Sequence, residues 1–144
     1  MAVSPAVPAL IHVAETSKDE NRIDAIHLIA NCGSRGIAAQ PVLEELLLNP
    51  NVSVRIAAAD ALLRTSGEHE AAVKVLVDVL FDSDKQQRLA AVNSIWNAGE
   101  AAKGSLHALA RAARDEDVDV RAEVAVALGL ARDAANAALK SVSN

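Results

Sequence analysis

Apolar residues recur along the chain at spacings of three and four, the period of a helix that buries one face. The stretch Asn51-Val52-Ser53-Val54-Arg55-Ile56-Ala57-Ala58-Ala59-Asp60-Ala61-Leu62-Leu63 shows the pattern most clearly. It has a polar cap, an arginine in the first turn and then a stripe of small and aliphatic side chains. The arrangement returns: Arg22, Arg55, Arg88 and Arg121 stand 33 residues apart each time. Behind them come Ile23, Ala25, Ile26 and Ile29; Ile56, Ala58, Ala59 and Leu62; Leu89, Ala91, Val92 and Ile95; and Ala122, Val124, Ala125 and Leu128. A fixed period of about 20 to 50 residues marks a repeat protein, whose units stack because none buries its apolar face alone. The expected fold is therefore all-α, an α-solenoid of stacked helical hairpins in one domain spanning 1–144. Its repeats fall at 1–33, 34–66, 67–99 and 100–132, with a partial unit at 133–144.

The pattern predicts paired helices over 5–15 and 19–31, 37–48 and 52–64, 69–81 and 85–97, and 102–113 and 118–131. A last helix near 134–142 has no second helix after it. Turn chemistry punctuates this plan. Ser17 with Glu20 reads as a capping box, and Pro8 and Pro41 sit in opening turns, where proline is tolerated. Asn49-Pro50-Asn51, Asp82-Ser83-Asp84 and Asp115-Glu116-Asp117 are the tight turns inside hairpins. Gly33, Gly36, Gly67, Gly99 and Gly104 fall in or beside the corners between them.

Composition narrows the function. Alanine supplies about a fifth of the chain and aromatics 1%, the profile of closely packed helices. No apolar run approaches the roughly 18 residues that cross a bilayer, so no membrane partner is expected. The net charge of −5 argues against a nucleic-acid partner, which needs clustered Lys and Arg. The first residues lack the basic segment of a signal peptide. The chain reads as soluble, cytoplasmic if complete and periplasmic if excised from an exported enzyme. One cysteine, Cys32, excludes an internal disulfide.

Candidate chemistry is sparse. The arginine column, with Asn51, Asp84 and Asp117 in the turns before it, is expected to form a ladder of Arg–carboxylate and Arg–carbonyl bonds between successive turns. His12, His27, His69 and His107 have no i, i+3 or i, i+4 partner for a metal and read as surface histidines. No metal, cofactor or catalytic residue is expected. Trp96, the one tryptophan, is expected to pack between the third and fourth hairpins, its rival role being a partner anchor. The remaining surface is the outer face of the second helices: Asp24, His27, Asn31, Asp60, Arg64, Asn93, Asn97, Glu123, Val126 and Leu130. In solenoids such helices line the concave side, where extended partners dock. Val126, Leu130 and the unpaired last helix point to cover by further repeats, another domain or another chain, including self-association through the C-terminal end.

Tetratricopeptide units would need tyrosine, of which there is none, and ankyrin units would need Thr-Pro-Leu-His. A turn Asp or Asn, then Val-Arg, two small residues and a leucine, as in Asn51 to Leu62 and Asp117-Val118-Asp119-Val120-Arg121, resembles HEAT repeats, including those called PBS-lyase HEAT-like. A narrower stretch from Val54 to Arg121 is similar to the helical tail behind the catalytic domain of some bacterial sulfatases. Its phrasing is Arg55 to Leu62, Ala72-Val73-Lys74-Val75-Leu76 and Ala98-Gly99-Glu100-Ala101-Ala102. Three functions follow in order. The first is a non-catalytic protein-interaction scaffold binding through the concave face, to another protein or to another domain of its own chain. The second is an accessory repeat domain excised from a larger enzyme such as a sulfatase. The third is a HEAT-like bilin lyase.

Overall fold

The computed structural model describes residues 6–67, 69–82 and 84–143, without the side chains of 130–139 and 141–143. Ser83, Leu130 and the expected helix start at residue 5 lie outside that account. The α-helices are α1 (Ala6–Thr16), α2 (Asp19–Asn31), α3 (Gln40–Leu46), α4 (Val52–Ser66), α5 (Glu70–Val79), α6 (Lys85–Ala98), α7 (Leu106–Ala112) and α8 (Val118–Ser143). Short 3₁₀ stretches, Gly33–Ala39 and Gly99–Ser105, lead into α3 and α7. No strand occurs among the described residues. The helices pair as hairpins α1–α2, α3–α4, α5–α6 and α7–α8, and the hairpins stack in chain order through their second helices, α2 on α4 on α6 on α8. The fold is an all-α helical-repeat solenoid.

Local chemistry sets the helix starts. Asn51 caps α4, its Oδ1 accepting from the Ser53 N–H at 2.8 Å, and Asp84 does the same for α6 through Gln86 N–H at 2.8 Å. Such caps satisfy donors that have no partner inside the helix. The capping box expected at Ser17 and Glu20 does not form. Helix α2 starts at Asp19, which puts Lys18 at the cap with no side-chain bond and leaves Ser17 one residue too early.

The largest departure is at the C-terminal end. The helices expected at 118–131 and 134–142 are one continuous helix, α8. The three earlier corners each turn on a glycine in the left-handed region, Gly33 at φ 55°, Gly67 at φ 78° and Gly99 at φ 56°. A side chain with a Cβ adopts that conformation only at a cost. Arg132 stands 33 residues after Gly99, so the corner has no residue to turn on and the helix runs through.

The core follows the repeated stripe. Ile26 and Ile29 of α2, Leu62 of α4, Val92 of α6, and Val120 and Val124 of α8 are almost wholly enclosed, with Leu43, Leu76 and Leu109 from the first helices. Burying each such side chain stabilises by about 1.5–3 kcal/mol. Alanines at 25, 58, 59, 91 and 127, all buried, let neighbouring helix axes come close. Helix α4 lies at the middle of the stack between α2 and α6, with α3 and α5 against its flank. Its residues from Ile56 to Leu63 are all buried in consequence.

Candidate partner-docking surface

The turn edge is built from the arginine column. Each arginine stands in the first turn of a second helix and reaches back to carbonyls at the end of the preceding helix or in the turn. Arg22 Nε donates to Ala14 O at 2.9 Å and Nη1 to Asp19 Oδ1 at 3.2 Å. Arg55 Nη1 donates to Asn49 O at 2.7 Å and Pro50 O at 3.0 Å. Arg88 Nη1 donates to Asp82 O at 2.9 Å, and Arg121 Nη1 to Asp115 O at 2.8 Å and Glu116 O at 3.1 Å. Carbonyls freed at the end of a helix thus gain charged donors.

Bonds that cross from one turn to the next are fewer. Asn51 Nδ2 donates to Asp19 Oδ2 at 3.0 Å between the first two hairpins. Between the third and fourth, Arg88 holds Asp115, and Lys85 Nζ lies 2.6 Å from Asp119 Oδ2 and 3.2 Å from Asp117 Oδ2. The Asp119 bond, then the Asp117 bond, raises the Lys85 pKa above its ordinary value. Burial pushes the Asp117 carboxyl up, but the Asp119 backbone N–H, Lys85 and the Val120 backbone N–H outweigh it and leave the pKa lowered.

The second-helix face is mixed. Asp24, His27 and Asn31 on α2, Arg64 on α4, and Asn93 and Asn97 on α6 are exposed, and Glu123 on α8 is half-buried. Val126 is 51% exposed. Asp60 departs from the expected surface position: it is buried, because α4 is flanked on both sides. Its Oδ2 lies 3.6 Å from Arg64 Nη1, and Oδ1 has no hydrogen-bond partner among the described residues. Burial raises its pKa above the usual carboxylate value, opposed by Arg64 and His27.

Trp96 also departs from expectation, being 48% exposed instead of packed between hairpins. Its counterparts at the 33-residue spacing, Ala30 and Leu63, are buried; a slot sized for them does not admit an indole. On α6 the exposed Asn93 and Asn97 lie to one side of the ring, about 60° and 100° round the helix from it. Its exposure was not legible in the sequence, because the repeat column places Trp96 on the core flank.

The first-helix side carries a cleft of about 600 Å³ between α3 and α5. Sequence reasoning missed it, although Leu48, which lines it and is 86% exposed, breaks the polar trend just before a turn. At one end, His69 is not the free surface histidine expected. Its Nδ1 accepts from the Ala72 N–H at 3.2 Å, capping α5, and its Nε2 lies 3.1 Å from Glu44 Oε1. The cap was legible in principle, since His69 follows Gly67 and precedes a helix as Asn51 and Asp84 do. His12, His27 and His107 are exposed, and Cys32 donates to Leu28 O at 3.3 Å beside the first corner.

Among the described residues no three His, Cys, Asp or Glu side chains come together as a metal site, and no helix is long and apolar enough to cross a membrane. The family model for HEAT repeats matches residues 7–96, the first three hairpins. No curated protein matches the chain.

Proposed function

The chain belongs to the HEAT repeat family, and from that premise we propose that it is a non-catalytic interaction scaffold that docks a protein on its second-helix face, centred on Trp96. HEAT repeats commonly mediate protein–protein interaction. The observation that carries the site is the half-exposed indole with the exposed Asn93 and Asn97 to one side of it on α6, and Val126 on the next second helix. A large aromatic beside neutral amides offers apolar area and hydrogen-bonding groups with little desolvation of charge, the make-up of a binding anchor. Placing this face on the inside of the curve is supported by packing. The second helices lie directly on one another, while clefts open between first helices on the other side. His27, Asp24 and Asn31 extend the surface toward the first hairpin. Asp60 and Arg64 contribute through the guanidinium, the carboxylate being enclosed.

An accessory domain of a larger enzyme, such as a sulfatase, would use the same surface and differ in being covalently joined to what it docks. The reading frame around this segment separates the two cases. The docking face is tested with a photo-crosslinking residue placed at Asn97 or, as a control, at the exposed Glu15 of α1. Crosslinks to one defined partner from Asn97 and none from Glu15 are expected. Crosslinks from Glu15 alone would move the site off the second-helix face.

A further inference from the structure

We propose that the cleft between α3 and α5 is a second docking site, which takes an Asp or Glu side chain of a partner protein together with an aliphatic side chain beside it. Successive units of the repeat differ at one pair. Arg88 and Asp115 are 27 residues apart, and so are Arg55 and Asp82 one unit earlier. The Nε and Nη2 edge of Arg88 is filled by the Asp115 carboxylate, at 2.9 and 3.2 Å. The same edge of Arg55 makes no hydrogen bond or ion pair among the described residues, since Nη1 alone serves the carbonyls of Asn49 and Pro50. Asp82 uses one oxygen on the Asp84 backbone N–H at 2.9 Å and does not reach Arg55.

A second tie is missing at the same step. Asp19 bonds the cap residue of the next unit, Asn51, and Lys85 bonds Asp117. The equivalent residue between them is Val52, which has no polar atom to offer Asp84. Along this edge hairpins two and three are joined by Gln87 Nε2 donating to Ser53 Oγ at 3.4 Å, with no ion pair between their turns among the described residues, and there the cleft opens, with Arg55 and Asp82 both lining it.

Its chemistry selects the occupant. Leu47, Leu48, Val75 and Val79 supply an aliphatic wall. The other lining charges are engaged: Glu44 with Gln40 and His69, and Lys74 with Asp78. What remains is a guanidinium fork, planar and suited to a carboxylate, whose copy one unit on already holds an aspartate. Asp82 is the resident competitor, so an incoming carboxylate gains when its charge is removed. The cleft shares no residue with the Trp96 face, so neither proposal depends on the other.

The test titrates the full chain, labelled with ¹⁵N, with the capped peptide acetyl-Leu-Asp-Leu-amide. Controls are acetyl-Leu-Asn-Leu-amide and the same Asn peptide with a free C-terminal carboxylate. Saturable shifts at the amides of 47–55 and 71–82 are expected, with the Asp peptide tighter than its capped Asn counterpart by about tenfold. Asp82→Asn, which keeps the oxygen that accepts from Asp84, should tighten the Asp peptide by about threefold. Arg55→Gln should erase the preference for Asp over Asn. Equal binding of the two capped peptides, shifts confined to the Trp96 face, or weaker binding by Asp82→Asn would overturn the proposal. Tighter binding of the free-acid Asn peptide than of the Asp peptide would overturn the assignment to an acidic side chain. Since Asp82→Asn adds affinity, its outcome stands even if Arg55→Gln fails to fold.

Discussion

Arg88 sets Nε 2.9 Å and Nη2 3.2 Å from the two carboxylate oxygens of Asp115, with about a tenth or less of either side chain exposed. The pair locks the turn of the third hairpin to that of the fourth, and Arg88 Nη1 meanwhile holds Asp82 O in its own turn. One guanidinium thus does two structural jobs that no point charge could combine.

Removing one member of a buried pair strands the other. Arg88→Met is expected to lower the unfolding free energy by about 3 kcal/mol, because Asp115 is left charged with little access to water. Urea denaturation measures it, and adding Asp115→Asn to the Met variant should recover part of the loss. An unchanged midpoint in the single variant would show that the pair contributes nothing.

Asp60 should behave in the opposite sense. Burial raises its folded-state pKa, so the folded protein binds the proton more tightly than the unfolded chain does. Stability from this group is fully present below the unfolded pKa and is lost as pH rises through the folded value. Asp60→Asn is therefore expected to melt above the wild type at about pH 7, and the gap should close by about pH 3. Thermal melts of both proteins across that range decide it; a wild type more stable than the variant at neutral pH would contradict the enclosed carboxylate.

The corner before α3 is sensitive to a single methyl group. A Cβ on Gly36 would stand 2.9 Å from Ile29 O and 3.0 Å from Thr65 Cγ2, wedging the 3₁₀ stretch away from both second helices. Gly36→Ala is expected to cost about 2 kcal/mol. Gly129→Ala, on α8 where a Cβ meets none of the described atoms within 4 Å, should instead gain about 1 kcal/mol of helix propensity. Denaturant midpoints of the two variants should move in opposite directions.

At the start of α5 the cap depends on the His69 tautomer. Nδ1 must be unprotonated to accept from Ala72, which puts the proton on Nε2, facing Glu44. His69→Ala is expected to cost about 1 kcal/mol and to speed hydrogen exchange at the Ala72 amide. The Gln40 bond, then the His69 bond, lowers the Glu44 pKa. The stability from that carboxylate is present above the ordinary carboxylate range and lost as pH falls through the lowered value. Exchange at Ala72 unaffected by the substitution would remove the cap from the account.

The hairpins were legible because a 33-residue column of arginines and apolar residues repeats both the local cap and the buried stripe, so every unit votes for the same plan. Where the structure departs from that plan, one unit differs from its copies. Arg132 replaces a corner glycine, and α8 runs on. Asp60 lies on the same column as the exposed Asn93, yet α4 is the central helix and encloses it. Trp96 takes a column that holds Ala30 and Leu63 in other units, and its size keeps it out. The cleft at α3 and α5 is lined by Arg55 and Asp82, which do not pair as Arg88 and Asp115 do, and a pattern of residue types does not reveal which ion pairs fail to close.

The most direct test of the docking face uses Trp96 itself, since the chain contains one tryptophan and no tyrosine. Acrylamide quenching of its fluorescence in the folded protein should be efficient, approaching that of the denatured chain to within about a factor of two for an indole 48% exposed, and adding the crosslinked partner should suppress it. An indole already shielded in the free protein, or one whose quenching the partner leaves unchanged, would contradict the assignment.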